Sequence, residues 1–344
     1  MNSAIATAIR AVFFLGLICL AVTAAIAQPN SVRMARAANA FLETLDAGQR
    51  QSVLFAFDDE QQRKRWSNLP VKMVPRAGLS LGALNAAQRS AAMALVSAAL
   101  SSKGLQKVQE IMEGDEILKT DAAGRGNPNM FGKDFYYISI LGTPSEKAPW
   151  ILQFGGHHLA LNITVAGDRG TLTPSLTAAQ PGLYTLNGKS VRPLAGESDK
   201  AAGLFNSLDA RQRGQAILGS RVADLVLGPG EDGRTIQPEG LKASAMTERQ
   251  RTLLLDVIAE WVGIIHDDAA AARMAEIRAG LAETWFAWSG PATATPGANI
   301  VSYYRIQGPN LVIEYAPQGS DPTMHIHAMY RDPTNDYGRK YTAR

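Results

Sequence analysis

Cysteine and histidine are both scarce in this sequence. Cys19 is the only cysteine among 344 residues, and it lies in an apolar stretch that we interpret as part of a signal peptide. A mature chain without a thiol can form no disulfide bond and can offer no thiolate to a metal. Any bound metal would therefore have to be held by nitrogen and oxygen ligands.

Positive and negative charges nearly balance in this sequence. The chain has 34 lysines and arginines and 31 aspartates and glutamates, which gives a formal net charge of +3. Loss of residues 1–27, in which Arg10 is the only charged residue, would leave +2. Because nucleic-acid-binding proteins normally present a basic face, we do not expect nucleic acid as a partner. The sequence also lacks a Gly-x-Ser-x-Gly elbow and a P-loop, which argues against a serine triad and a nucleotide phosphate site.

The first 27 residues have the pattern of a secretory signal peptide. Arg10 precedes an apolar run at residues 11–24, and Ala25-Ile-Ala27 places small residues at the cleavage site. The apolar run is too short for a comfortable membrane span. We therefore predict a periplasmic or secreted protein with no membrane span after cleavage, in which residues 28–344 form a single domain.

One short motif recurs four times and predicts four helix starts. In each copy a capping residue is followed three positions later by glutamine, as a capping box requires. Helical periodicity continues after the third copy through Leu218, Val222 and Leu225, and Gly104 and Gly228-Pro-Gly230 are predicted stops. The spacing is irregular, which excludes a solenoid. The four pairs are Asp46 and Gln49, Asn85 and Gln88, Asp209 and Gln212, and Thr247 and Gln250.

Two groups of short strands alternate with the helices. The first group covers residues 135–141, 150–154 and 159–165, and the second covers residues 302–306, 311–315 and 324–330. Short connections within each group are typical of hairpins. The layout predicts an α+β fold, in which the two strand groups join as one largely antiparallel sheet covered by helices.

Four of the five histidines form two clusters, one in each strand group. His325 and His327 would point to the same face of a strand. If His157 and His158 are extended, at most one of them joins that pair, whereas both could join from a turn. Three imidazoles with one open position form the minimal catalytic zinc, copper or non-haem iron site. His266, before Asp267-Asp268, is predicted to be a helix-end residue.

Charged residues close to the second cluster complete the candidate site. Glu314 in the preceding strand is an oxygen ligand candidate, and Asp332 and Asp336 are candidate catalytic or supporting carboxylates. Arg331 would bind an anionic substrate or pair with a carboxylate. Without a metal, one histidine could act as a general base that Asp332 or Asp336 positions. The histidines could also be purely structural and hydrogen-bonded separately.

Several motifs in order resemble the DUF3500 family of uncharacterised, often exported proteins. They are Trp150 with Gln153-Phe-Gly-Gly-His-His-Leu-Ala-Leu-Asn162, then Tyr303-Tyr-Arg-Ile-Gln-Gly-Pro309, and Glu314 with His325-Ile-His327 and Arg331-Asp-Pro-Thr-Asn-Asp-Tyr-Gly338. The resemblance extends roughly from residue 45 to residue 337. It implies no activity and no catalytic residues.

The central hypothesis is that the fold brings the two histidine clusters to one site. A divalent metal (zinc, copper or iron) would then be held by His157, His158, His325, His327 and Glu314, and the partner would be a metal ion or a small-molecule substrate. Hydrolysis by a metal-activated water is the first expectation. The alternatives are oxidation at copper or iron, a periplasmic metal or small-ligand binding protein without catalysis, and an envelope scaffold without a site.

Overall fold

The computed structural model describes residues 29–120, 126–295 and 297–342. The predicted signal peptide lies outside these residues. No helix in the described ranges is long and apolar enough to cross a membrane. The first half of the chain contains α1 (Asn30–Glu43), α2 (Ala47–Val53), β1 (Leu54–Phe55), α3 (Glu60–Arg63), β2 (Leu79–Ser80), α4 (Ala86–Ala99), α5 (Ser102–Lys119), β3 (Tyr137–Leu141), β4 (Trp150–Gly156), β5 (Leu159–Ala166) and β6 (Arg169–Ala179).

A small hairpin leads into the second half. It consists of β7 (Tyr184–Leu186) and β8 (Lys189–Val191). The second half contains α6 (Ala195–Ser207), α7 (Ala210–Ala216), β9 (Leu241–Lys242), α8 (Glu248–Val262), α9 (Asp267–Ala279), β10 (Trp285–Ser289), β11 (Tyr303–Gly308), β12 (Leu311–Pro317), β13 (Ile326–Arg331) and α10 (Arg339–Thr342).

The strands of both halves form one sheet of 11 strands. Its order is β1, β3, β4, β5, β6, β13, β12, β11, β10 and β9, with β2 paired to β3. The neighbouring strands are antiparallel except for β1 and β3. The two strand groups meet where β6 pairs with β13. This confirms the predicted α+β class and the predicted joining of the groups into a largely antiparallel sheet.

The two faces of the sheet are covered differently. Large apolar side chains on one face pack against the helices and form the main core, which includes Trp261 and Trp288. The opposite face carries smaller apolar clusters, in which Trp66 and Met329 pack together and Tyr337 packs against strand residues. Irregular segments, together with the short helix α3, supply the packing partners on this second face.

The capping boxes occur in two equivalent pairs. All four have the predicted reciprocal hydrogen bonds. The side chains of Gln49 and Gln88, 39 residues apart, bind each other, and so do those of Gln212 and Gln250, which are 38 residues apart. After its first capping box, each half reaches a short strand (β2 or β9), then two helices (α4 and α5, or α8 and α9), and then four strands of the sheet (β3 to β6, or β10 to β13). The two halves therefore repeat one order of elements, which the irregular spacing across all four motifs obscures.

A reciprocal contact joins the halves outside the sheet and corrects two predictions. The amide of Ser101 donates to the carbonyl of Ile264, and the amide of His266 donates to the carbonyl of Ala99. Ser101 and His266 precede α5 and α9 in equivalent positions. His266 therefore caps the N-terminal end of α9 rather than lying at the C-terminal end of α8, and Gly104 lies inside α5 rather than ending α4.

The helix predicted after the third capping box is shorter than its periodicity suggested. α7 ends at Ala216, because Ile217 forms a parallel bridge with Trp288 of the sheet. The amide of Leu218 then donates to the carbonyl of Trp288. Residues 218–240 form no helix. Val222 and Leu225 therefore belong to an irregular segment on the second face of the sheet.

Replacement of Gly104 by alanine tests the close contact between the halves. A Cβ atom there would overlap the carbonyl oxygen of Ile264. We expect Gly104→Ala to lower the free energy of unfolding by about 1–3 kcal/mol. Among the described residues, no atom lies within 4 Å of a Cβ added at Gly203 in α6. Gly203→Ala should therefore be neutral or stabilise by up to about 1 kcal/mol. Urea titration of both variants makes the comparison, and equal effects would contradict the close contact.

Candidate metal centre

His158 lies at the tip of the hairpin that joins β4 and β5. His157 and His158 form its turn, and His158 has a left-handed backbone with φ of 61°. A non-glycine residue seldom adopts this conformation unless its surroundings hold it there. The His158 amide donates to the carbonyl of Asn68 at 3.2 Å, and the Ala178 amide donates to the carbonyl of His158 at 2.9 Å. These bonds hold the turn against the segment that carries Asn68 and against β6.

The two glycines before this turn allow the backbone to pack closely. A Cβ atom at Gly155 would overlap the carbonyl oxygen of Leu159. A Cβ atom at Gly156 would lie 2.9 Å from the carbonyl oxygen of Phe135. Glycine is therefore required at both positions if the turn is to keep this path.

The start of β13 brings two more histidines to the same place. His325 precedes the strand and His327 is its second residue, and their rings lie on one side of the strand. Ile326 between them belongs to the helix-side core, as the two-residue period of a strand requires. His327 pairs with Ala178 of β6. Because Ala178 also binds the backbone of His158, β6 connects the two histidine clusters.

The Nε2 atoms of His158, His325 and His327 converge. The Nε2 atom of His325 lies 3.1 Å from that of His158 and 3.1 Å from that of His327. Ligand nitrogens on a tetrahedral zinc ion, each at 2.0–2.1 Å from the metal, are separated by about 3.3 Å. In the part of the chain that the structure describes, these histidines form the one such group of potential metal ligands. The two 3.1 Å separations are close to this tetrahedral value, and the ligand atoms of all three residues lie within 4.8 Å of one another.

Hydrogen bonds between the three rings would fit this geometry less well than a bound metal. A neutral imidazole carries one N–H group and one unprotonated ring nitrogen. A proton on the Nε2 atom of His325 could point straight at only one of its two neighbours, although both lie at the same distance. A cation between the rings would accept a lone pair from each. The arrangement is therefore better suited to a metal than to a hydrogen-bonded trio.

Burial favours the neutral imidazole that metals require. Loss of solvation, together with the neighbouring imidazoles, lowers the pKa of His158 well below its ordinary value. The half-buried His325 has a pKa lowered to about 4, chiefly by the same loss of solvation. Both rings are therefore neutral at pH 7, and each has a lone pair for a ligand.

Asp224 orients the ring of His327. Its Oδ1 atom lies 3.0 Å from the Nδ1 atom of that histidine. Since a carboxylate only accepts, Nδ1 carries the proton and Nε2 is left with its lone pair. Burial opposes the ionisation of Asp224, but the hydrogen bond and the electrostatic interaction with His327 lower the pKa of this carboxyl below its ordinary value. A carboxylate that holds a histidine in this way is common around zinc.

Asn68 contacts two of the three histidines. Its carbonyl oxygen accepts the amide of His158, and its side-chain nitrogen lies 3.3 Å from the Nε2 atom and 3.5 Å from the Nδ1 atom of His327. These similar distances place the amide across the ring rather than on one nitrogen. The irregular segment before β2 therefore forms one wall of the site.

Comparison of the sequence with protein-family models places the chain in a family. The model described as "Protein of unknown function (DUF3500)" matches residues 28–339. The chain belongs to the DUF3500 family. The resemblance inferred from the motifs is thus confirmed over nearly the whole chain. Neither a search of curated proteins nor a search of solved structures found a match.

In this DUF3500 protein, His157 points away from the other three histidines. Its Nδ1 atom lies 2.6 Å from the Oδ1 atom of the buried Asp115 on α5. The second oxygen of Asp115 accepts the amide of Gly132. The ring of His157 stacks on that of His158, with 3.7 Å between ring centroids. His157 therefore stabilises the ring of His158 and does not join the three converging histidines, although His157 and His158 both lie in the turn.

The structure places Glu314 and Arg331 in contact with residues 218–240. Glu314 is fully buried and accepts the amides of Val226 and Leu227 at 2.7 and 2.8 Å. Arg331 donates to two backbone carbonyl oxygens of the same segment at 2.8 and 2.9 Å. Because this segment carries Asp224, Glu314 and Arg331 support the centre indirectly. Neither is brought to the three Nε2 atoms.

Asp332 and Asp336 lie beyond the other end of β13. His327 and Arg331 are separated by about 13 Å of extended strand. Asp332 pairs with Arg273 at 3.1 Å, and Asp336 pairs with Arg331 at 3.0 Å. The two carboxylates predicted as catalytic therefore take part in ion pairs remote from the histidines.

Asn68, Asp115 and Asp224 surround the centre of this family member without a local sequence signal. Each lies in a different segment, and each reaches a histidine that is distant along the chain. Asp224 also falls where periodicity predicted a helix. Only the fold, which brings α5 and two irregular segments to the histidines, shows that these residues belong together.

Proposed function

We propose that this protein is an exported metal-dependent hydrolase in which His158, His325 and His327 bind one divalent transition metal. The observation that supports the proposal is the convergence of three imidazoles, in which the Nε2 atom of His325 lies 3.1 Å from those of His158 and His327. Zinc is the first choice, because an all-imidazole site suits its tetrahedral geometry. Export is inferred from the pattern of the first 27 residues.

The number of ligands favours an enzyme over a carrier. Catalytic zinc sites have three protein ligands and an open position, whereas structural sites are closed by four. The described residues contribute no fourth histidine, cysteine or carboxylate to the group. His158 and His327 are buried, but His325 is half-buried and lines a surface cleft. A substrate could therefore reach the open side of the centre from this cleft.

The surrounding residues have clear roles in such a site. A metal with an open position lowers the pKa of a bound water and polarises a carbonyl oxygen. Asp224 keeps the proton of His327 on Nδ1, so that its Nε2 atom faces the centre. His157 and Asp115 hold the plane of His158 through ring stacking and a buried hydrogen bond. Asn68 contacts the ring of His327 and the backbone of His158.

The test begins with untagged mature protein, residues 28–344, loaded with zinc. We expect one zinc ion per chain by elemental analysis. X-ray absorption should give three imidazole nitrogens and one oxygen at about 2.0–2.1 Å. Hydrolysis of p-nitrophenyl acetate should depend on the metal and stop when a chelator is added.

Other outcomes would support a different function. Four protein ligands and no hydrolysis would indicate a metal carrier. A chain that hydrolyses nothing with zinc but cycles between copper oxidation states would indicate an oxidoreductase. If the protein binds no zinc, copper or iron, the proposal is wrong and the histidines are structural.

A further inference from the structure

A cleft lies directly beside the candidate metal centre. It is formed by the C-terminal end of α5, the segment that follows β6, and the loop between β12 and β13. His325 belongs to its lining. The half-buried edge of the metal site therefore opens into the cleft, and a molecule bound there would lie against the open coordination position.

The walls of this cleft differ in polarity. Ile117 and Leu118 from α5, Leu183 from the segment after β6, and Met324 supply an apolar wall. Leu183 is 44% exposed, which is unusual for a leucine in this structure. Exposed apolar side chains in a concave surface are typical of ligand sites. The apolar wall therefore suits the hydrophobic part of a substrate.

The charges at this cleft are negative. Among its described lining residues, Asp321 is the only one that carries a charge. Asp321 is held in place by the amide and hydroxyl of Thr323. Asp224 adds a second carboxylate next to the centre, where it contacts both His327 and Gln318. With a divalent cation at the centre, these two carboxylates would offset its charge, so that the cleft offers a phosphate, sulfate or carboxylate group of a substrate little net attraction.

We infer that the centre takes an uncharged acyl compound, an ester or amide, with an apolar group bound against Leu183. This inference rests on the proposed function. In the reaction, water adds to the acyl carbon, the bond from this carbon to the leaving oxygen or nitrogen breaks, and the leaving atom takes a proton. The carboxylic acid product then ionises. Asp224 and Asp321 oppose the attraction between the metal and the resulting anion, which favours its release.

The first experiment compares, on cobalt-loaded protein, two metal-binding probes that are uncharged hydroxamic acids in solution and bind a metal as hydroxamates. Benzohydroxamate and acetohydroxamate share one chelating group but differ in apolar size. Their dissociation constants are read from the visible absorption of cobalt. We expect benzohydroxamate to bind about tenfold more tightly, because its phenyl ring is buried against the apolar wall. Inorganic phosphate should bind more weakly than either.

Variants of the cleft separate its two properties. Leu183→Ser should lower the affinity ratio of the two hydroxamates severalfold without changing the cobalt content. Met73→Ser, at an exposed methionine outside the cleft lining, is the matched control and should keep the ratio. Asp321→Asn retains an oxygen for Thr323 but loses the charge, and it should tighten phosphate binding several-fold.

The outcomes distinguish this inference from the proposal on which it rests. A chain that binds no cobalt contradicts both. Cobalt-loaded protein with equal affinity for both hydroxamates overturns the inference alone, and so does a ratio that Leu183→Ser leaves unchanged. Phosphate binding as tight as that of benzohydroxamate would show that the site prefers anions, which also overturns it.

Discussion

Replacement of His325 and His327 together by alanine is expected to abolish tight metal binding. The double variant keeps only the Nε2 atom of His158 at the centre. Loss of an outer residue that merely supports a ligand weakens metal binding by about 10–100-fold. Loss of two direct ligands should exceed this, and elemental analysis of untagged protein should find no stoichiometric zinc. Added zinc at about 1,000 times the dissociation constant should stabilise the original chain by about 4 kcal/mol, but not the variant.

Two further histidines of the same chain supply the controls. His266 begins α9, away from the centre, so His266→Ala should retain one zinc per chain at unchanged affinity. His157→Ala should also retain one zinc per chain, with affinity lowered about 10–100-fold because the stacked neighbour of His158 is lost. Unchanged zinc content in the double variant would exclude the proposed ligands. A complete loss of zinc in His157→Ala would make His157 a ligand as well.

The convergence of the histidines follows from local rules that a sequence can reveal. Period-two alternation predicts that His325 and His327 share a face, and the structure has them there. Segregation of helices and strands predicts one sheet, and the pairing of β6 with β13 joins its halves. The sequence leaves open whether His157 and His158 lie in a strand or in a turn, because adjacent side chains diverge in a strand but can both project from a turn. Three of the four predicted histidines consequently meet.

The surroundings of the centre depend on contacts that no local pattern encodes. Asp224 lies in a segment whose apolar spacing resembles a helix, yet hydrogen bonds to Glu314 and Arg331 hold that segment flat against the sheet. β6 is not among the strands predicted from the sequence. It contains Pro174, and a proline inside a run argues against a central strand. Such residues are placed by tertiary contacts that override local preference. For the same reason, the sequence predicts Glu314 and Arg331 as site residues, whereas in the structure they hold residues 218–240 in place.

Arg331→Ala is expected to cause the largest loss of stability among single substitutions at the predicted site residues. The guanidinium group is 2% exposed and pairs with Asp232 and Asp336. It also donates to two backbone carbonyl oxygens of residues 218–240. Removal of one partner from a buried ion pair leaves the other charge uncompensated, which costs about 3–5 kcal/mol. Burial already raises the pKa of Asp336 above its ordinary value, although Arg331 opposes this effect.

Metal-free protein is the right sample for this measurement, since a bound metal would add its own stabilisation. Urea titration followed by circular dichroism should give a free energy of unfolding about 3–5 kcal/mol lower for Arg331→Ala. Arg221→Ala removes an exposed arginine from the same segment and should change stability by less than about 0.5 kcal/mol. If Arg331 instead faced the substrate, its loss would reduce hydrolysis while leaving stability nearly unchanged. Because Arg331 holds the segment that carries Asp224, we expect weaker zinc binding to accompany the loss of stability.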